Sequence, residues 1–393
     1  MRKLRILSLL ILLFCGGFVA AQAGLSARQT ERPWWYTMEQ GKSFFREGDY
    51  GSALLAFEDA RRQRQTMYSR MEQDLINILS ISEVRRMGDY LDQLEFYIAD
   101  RGQVDAAAAL AELYYRVPKD SLDNKASRAL TEIGKFKDYP EAEYWIGETY
   151  RVEGELSLAL TQFLKVHRQR SLLENPGFDT QLLYEIADIH RIRQEYIEME
   201  RALIEILSGV NPGHNWEKEG EAEAADTLWS NSAGAFAQTS MLNILGQDGI
   251  TRFLSLYRYD NTVVEKAHRR LGFYYYAVGR HNQAAEHLMF AFLIQNTILL
   301  QEILRSEYDY TFSTLDDLME KIRGKSELEA YIEDVEYYRT SYYLGSSLFA
   351  TGKTPSARGF WEFLNNQAGA GEWRGRAQAQ LRSPFVERAI ETP

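Results

Sequence analysis

Cysteine is almost missing from this chain: Cys15 stands alone among 393 residues. An internal disulfide is excluded, and so is a cysteine-built zinc module. Only eight prolines occur, which leaves long stretches free to be helical. Histidine is scarce as well. The six, at His167, His190, His214, His268, His281 and His287, include no pair at i,i+4 beside an acid, the spacing a helical metal site needs. Basic charge is in deficit, with 45 Lys+Arg against 56 Asp+Glu and a formal net charge of −11. A nucleic-acid partner is therefore not expected, because such a protein needs a basic face to release phosphate counterions. No glycine-rich phosphate loop opens a helix, and no Gly-x-Ser-x-Gly elbow is present. The acidic run Glu217, Glu219, Glu221, Glu223 and Asp226 lacks the order of a calcium loop. It reads as an acidic helix start, which the helix dipole favours. No metal, cofactor or enzymatic activity is expected.

What is present suits a packed helical protein. Hydrophobic residues make up 45% and aromatics 13%, ample material for a core. The first 23 residues read as a secretory signal. Arg2, Lys3 and Arg5 form a basic start, Ile6 to Phe14 is apolar, and Ala21-Gln22-Ala23 places small residues where a signal peptidase reads. Cleavage is expected before Gly24, leaving an exported chain that is periplasmic or attached to the envelope. The alternative is lipidation at Cys15, although the bulky Phe14 precedes it. Membrane association is expected only if Cys15 is lipidated. The apolar run is short for spanning ~30 Å.

Internal repetition organises the rest. Gly41, Phe44, a turn at Gly48-Asp49-Tyr50, Ala53, Phe57 and Ala60 set a pattern. It returns as Gly147, Tyr150, Gly154-Glu155, Ala159 and Phe163. A further copy reads Gly272, Tyr275, Gly279-Arg280, Ala284, Leu288 and Ala291, and another reads Gly345, Leu348, Gly352-Lys353, Ala357, Trp361 and Leu364. A weaker copy reads Ala187, His190, Gln194-Glu195-Tyr196 and Leu203. Each copy predicts two helices of roughly 12–14 residues joined by a tight turn. A small residue on each helix allows close approach, and large residues three or four positions away fill the space between. One hairpin cannot bury its apolar stripe alone, so the hairpins must stack.

This pattern resembles the tetratricopeptide repeat family, whose period is ~34 residues. The resemblance implies an all-α superhelix of stacked hairpins. Gly41 and Gly147 are about three periods apart, so two degenerate hairpins are expected between them, around Met87 to Ile98 and Ala106 to Ile133. Thr297 to Leu304 and Leu315 to Ile322 are expected to supply helices before the last copy, and Arg376 to Ile390 a capping helix. The expected organisation is a signal over 1–23, an N-terminal array over 24–208, an insertion or joint over 209–262, and a C-terminal array over 263–393.

Family members present a groove lined by the first helix of each hairpin. The resemblance carries that role onto Trp35, Tyr144, Tyr184, Arg269, Phe273, Tyr276, Tyr342 and Phe349. Tyr144/Glu148 and Tyr184/Asp188 stand where some members hold a peptide carboxylate with Lys and Asn, so that clamp is absent. An aromatic face of mixed charge suits a protein or peptide partner. Packing between neighbouring repeats is the other role open to each ring. The functional expectation is a non-catalytic scaffold. The alternatives are a repeat protein that captures a small apolar ligand for a transporter and, less favoured by the residues, an enzyme.

Overall fold

A computed structural model describes residues 33–80, 134–173, 177–210 and 238–387. The signal with Cys15, the degenerate hairpins expected between Met87 and Ile133, and the acidic run from Glu217 to Asp226 lie outside the described residues. Those described are 83% helical, with no strand among them. The expected all-α architecture of packed helix pairs is what the chain adopts.

Contacts divide the chain into two compact units, Met1–Asp179 and Thr180–Pro393. The break falls earlier than the position after 208 that the repeat spacing suggested. The first unit holds α1 (Trp34–Glu47), α2 (Tyr50–Ser80), α3 (Pro140–Val152) and α4 (Leu156–Arg168). Helix α5 (Gly177–Ile192) carries the boundary. The second unit continues with α6 (Tyr196–Val210), α7 (Gln238–Leu256), α8 (Glu265–Ala277) and α9 (His281–Ser306). It closes with α10 (Leu315–Ile322), α11 (Ser326–Asp334), α12 (Tyr337–Ala350), α13 (Thr354–Asn366) and α14 (Glu372–Arg382).

Among the described residues, five hairpins share one backbone template. The amide of Asp49 donates to the carbonyl of Phe44 at 2.9 Å, and Glu155 to Tyr150, Glu195 to His190, Arg280 to Tyr275 and Lys353 to Leu348 each at 2.8 Å. Each of these bonds closes a first helix across a residue of positive φ: Gly48, Gly154, Gln194, Gly279 and Gly352. This satisfies a carbonyl the helix would otherwise leave open. Glycine adopts that conformation freely, whereas an L side chain pays roughly 1–2 kcal/mol. Gln194, at φ 60°, is the exception. Gln194→Gly is therefore expected to stabilise the chain by about 0.5–1 kcal/mol, and a rise in thermal midpoint checks it.

The small residues do what their spacing implied. A Cβ built on Gly41 would lie 2.5 Å from the Phe57 ring, and one on Gly147 2.7 Å from Phe163. On Gly272 it would lie 2.5 Å from Leu288, and on Gly345 2.9 Å from Phe360. Ala53, Ala159, Ala284 and Ala357 are fully buried on the facing helices, as are Phe57, Phe163, Leu203, Leu288 and Trp361.

Two expectations of element length are corrected. Thr297 to Leu304 is no separate helix but the end of the 26-residue α9. This helix is long and apolar enough to cross a membrane, yet 78% of its apolar window is buried inside the protein. Its length follows from packing on several sides. Tyr337 donates to Asn296 Oδ1 at 2.9 Å, Thr297 Oγ1 accepts from the Tyr259 amide at 3.0 Å, and Gln295 donates to the Val335 carbonyl at 2.9 Å. Buried polar groups need such partners. The terminal helix is also shorter than expected, ending at Arg382 instead of Ile390. Beyond it, Ser383 to Glu387 run without helix.

Candidate binding face

Within the second unit, the first helices of successive hairpins, α5, α8 and α12, carry the residues the sequence singled out. Helix α5 contributes Tyr184, whose hydroxyl donates to the Val263 carbonyl at 2.6 Å and accepts from the Ala267 amide at 3.1 Å. The ring therefore ties one hairpin to the start of the next, with Lys266 Nζ 5.0 Å above it. Burial pushes the phenol well above its usual range, the neighbouring Ala267 amide opposing the shift. Beside it Asp188 gathers three cations: Arg270 at 2.7 Å, Arg191 at 3.5 Å and Lys266 at 3.6 Å. Burial, and after it Arg270, hold the Lys266 ammonium below its usual value.

A second ion-pair chain crosses from α8 to α12. Glu265 pairs with Arg269 at 3.0 Å, Arg269 with Glu336 at 3.2 Å, and Glu336 with Arg339 at 3.2 Å. Gln295 donates to Glu265 at 2.6 Å. Burial raises the Glu265 carboxyl even so, because desolvation of the charged form outweighs Arg269 and Gln295. Glu336 takes a left-handed conformation, φ 50°, directly before α12, with its carboxylate held by both arginines.

The Arg339 guanidinium lies 4.3 Å from the centre of the Phe273 ring, a cation over an aromatic face. From there a ribbon of rings runs to α14. Phe273 meets Tyr343 at 5.7 Å, Tyr276 meets Tyr343 at 5.0 Å, and Tyr342 meets Tyr343 at 5.3 Å. Trp373 of α14 contacts Tyr342 at 5.6 Å and Tyr343 at 5.7 Å, with Arg376 4.7 Å from its own ring.

The structure thus brings Arg269, Phe273, Tyr276 and Tyr342 together, but the open aromatic groove is corrected. Phe273 is 3% exposed, Tyr276 2% and Tyr342 0%. They pack against rings from the adjacent helices, the other role the sequence left open for them. Phe349 is half-buried and turned to Trp361 of its own hairpin, 5.7 Å away. In the first unit Tyr144 is likewise buried, against Phe178 at 4.4 Å and Phe163 at 5.7 Å. Trp35, 44% exposed, is the one ring of the expected set that stays largely open.

Sequence reasoning missed Tyr343, Trp373, Arg339 and Arg376. The Tyr342-Tyr343 doublet was a usable signal, since adjacent positions on a helix point to different neighbours. It also missed His268 and His287, fully buried in the α8–α9 hairpin with their Nδ1 atoms 3.0 Å apart. At that contact one nitrogen carries the hydrogen and the other accepts it. Among the described residues no three His, Cys, Asp or Glu side chains are grouped as a metal ion would require.

No protein-family model matches the chain. It is 21% identical over 347 residues to an uncharacterized protein of Treponema pallidum, covering 88% of this chain and 89% of that one. It is 22% identical over 215 residues to an uncharacterized protein of Borreliella burgdorferi, covering 54% of this chain and 66% of that one.

Proposed function

We propose that this chain is an exported, non-catalytic repeat protein of the tetratricopeptide kind. It acts as a scaffold in the periplasm or cell envelope and holds a protein partner on the aromatic, mixed-charge face of its second unit. The observation that supports the reading is that this face already receives a stretch of non-helical chain, Ser383 to Glu387. Tyr342 of α12 donates its hydroxyl to Glu387 Oε1 at 2.8 Å, across the end of α14. Recognition of an acidic segment by arginine is one of the recurring modes of peptide binding, and here Arg376 and the Tyr342 hydroxyl face the Glu387 carboxylate.

Affinity capture from an envelope extract tests the reading, using the full-length mature chain. Trp373 is half-buried at the edge of the ribbon, so it keeps surface for a partner to cover, and buried aromatics often carry much of an interface's energy. Trp373→Ala is expected to reduce capture of the partner at least tenfold while the helical circular dichroism persists. Equal capture by both proteins, or none by either, would count against this face. Export has its own measurement. A mass spectrum of the mature N-terminus is expected to begin at Gly24, and an acylated Cys15 in its place would make the chain a lipoprotein.

A further inference from the structure

A set of polar contacts fastens the segment after α14. Ser383 leaves the helix in an extended conformation, φ −152° and ψ 92°. Gln380, fully buried, treats the Phe385 backbone as a strand edge would. Its Nε2 donates to the Phe385 carbonyl at 3.0 Å and its Oε1 accepts from the Phe385 amide at 2.9 Å. The same Nε2 lies 3.2 Å from the Tyr342 hydroxyl, which passes its own hydrogen to Glu387. Arg376 Nη1 stands 3.9 Å from the second carboxylate oxygen. That oxygen, Glu387 Oε2, is buried and has no hydrogen-bond partner.

The apolar side chains of the segment are poorly used by comparison. Phe385 is 48% exposed and Val386 38%, while the Glu387 side chain is only 15% exposed. A segment fastened by its backbone and one carboxylate, with its apolar groups only partly covered, forgoes part of the energy that fuller burial would supply. Its advantage is attachment: a short tether holds it at an effective concentration on the order of millimolar.

We propose that Gln380, Tyr342 and Arg376 form a receptor for an extended acidic segment of a partner protein, and that residues 383–387 occupy it in cis until the partner displaces them. The spacing sets the ligand chemistry. One residue offers its backbone N–H and C=O to Gln380, and the residue two positions on presents a carboxylate to Tyr342 and Arg376. A partner segment that also buries its apolar residues has an advantage the tether must offset.

This rests on the reading that the face binds a partner, and the test separates the two. A fluorescein-labelled, C-terminally amidated peptide Ser-Pro-Phe-Val-Glu is titrated into full-length protein and followed by anisotropy. Glu387→Ala frees the receptor, and Phe385→Pro does so independently by removing the amide that Gln380 accepts from. Both variants are expected to bind the peptide at least tenfold more tightly than the wild type. A peptide with Gln in place of Glu is expected to bind them at least tenfold more weakly, and Tyr342→Phe in the Glu387→Ala background to weaken binding several-fold. Equal binding by wild type and variants, equal binding of the Glu and Gln peptides, or dimerisation of the variants in place of peptide binding would overturn the proposal. Partner capture that is unaffected by Glu387→Ala would defeat this inference alone, whereas absence of capture by every form defeats the underlying reading.

Discussion

Replacing Gly272 by leucine is expected to destabilise the second unit by about 1–3 kcal/mol or more. The reason is geometric. A Cβ at this position would fall 2.5 Å from the Leu288 Cγ and 3.2 Å from the Leu288 backbone nitrogen. The side chain can shift, but the backbone cannot retreat without separating α8 from α9. Leu288→Ala alone should also destabilise, by roughly 2–5 kcal/mol, since it opens a cavity at a fully buried site. The two changes share one space, so the double variant is expected to be more stable than the sum of the single effects allows. A double-mutant cycle by urea denaturation measures that coupling. Gly375 is the control. No atom lies within 4 Å of the Cβ it lacks, so Gly375→Ala inside α14 should stabilise by about 0.5–1 kcal/mol. A neutral Gly272→Leu would mean the helices do not meet as described.

Tyr342→Ala is expected to be the most damaging change among the ribbon residues, at roughly 3–5 kcal/mol. Its ring is fully buried between Tyr343 and Trp373, and its hydroxyl joins Glu387 and Gln380. Tyr342→Phe keeps the ring and removes only the hydroxyl, at a cost near 1 kcal/mol. Thermal melts of the two variants separate packing from hydrogen bonding. Trp35→Ala, on an exposed helix start of the first unit, is expected to stay within about 0.5 kcal/mol of the parent. A Tyr342→Ala protein that melts with the wild type would return this tyrosine to the list of open groove residues.

The contrast between Trp35 and Tyr342 marks what repeat spacing can and cannot convey. Both occupy first-helix positions of the same pattern, yet one is open and the other has no exposed surface. Periodicity assigns a residue to a face of its own helix. Whether that face is covered depends on what the chain places over it. For Tyr276 and Tyr342 the cover includes Trp373 and residues 383–387, which no copy of the repeat contains.

The glycine pattern by itself determined the helix pairs, their turns and their closest approaches. It did so because steric exclusion at Gly41, Gly147, Gly272 and Gly345, and positive φ at the turn residues, are local demands that few residue types satisfy. Even the weak copy around Ala187 was legible, since the hydrogen bond from Glu195 to His190 is also local. The meeting of His268 with His287, the unbroken run of α9 through Thr297, and the seat of Glu387 beneath Tyr342 were decided only in the tertiary structure. Each depends on side chains from different helices competing for one volume, and no spacing within a single helix encodes the outcome of that competition.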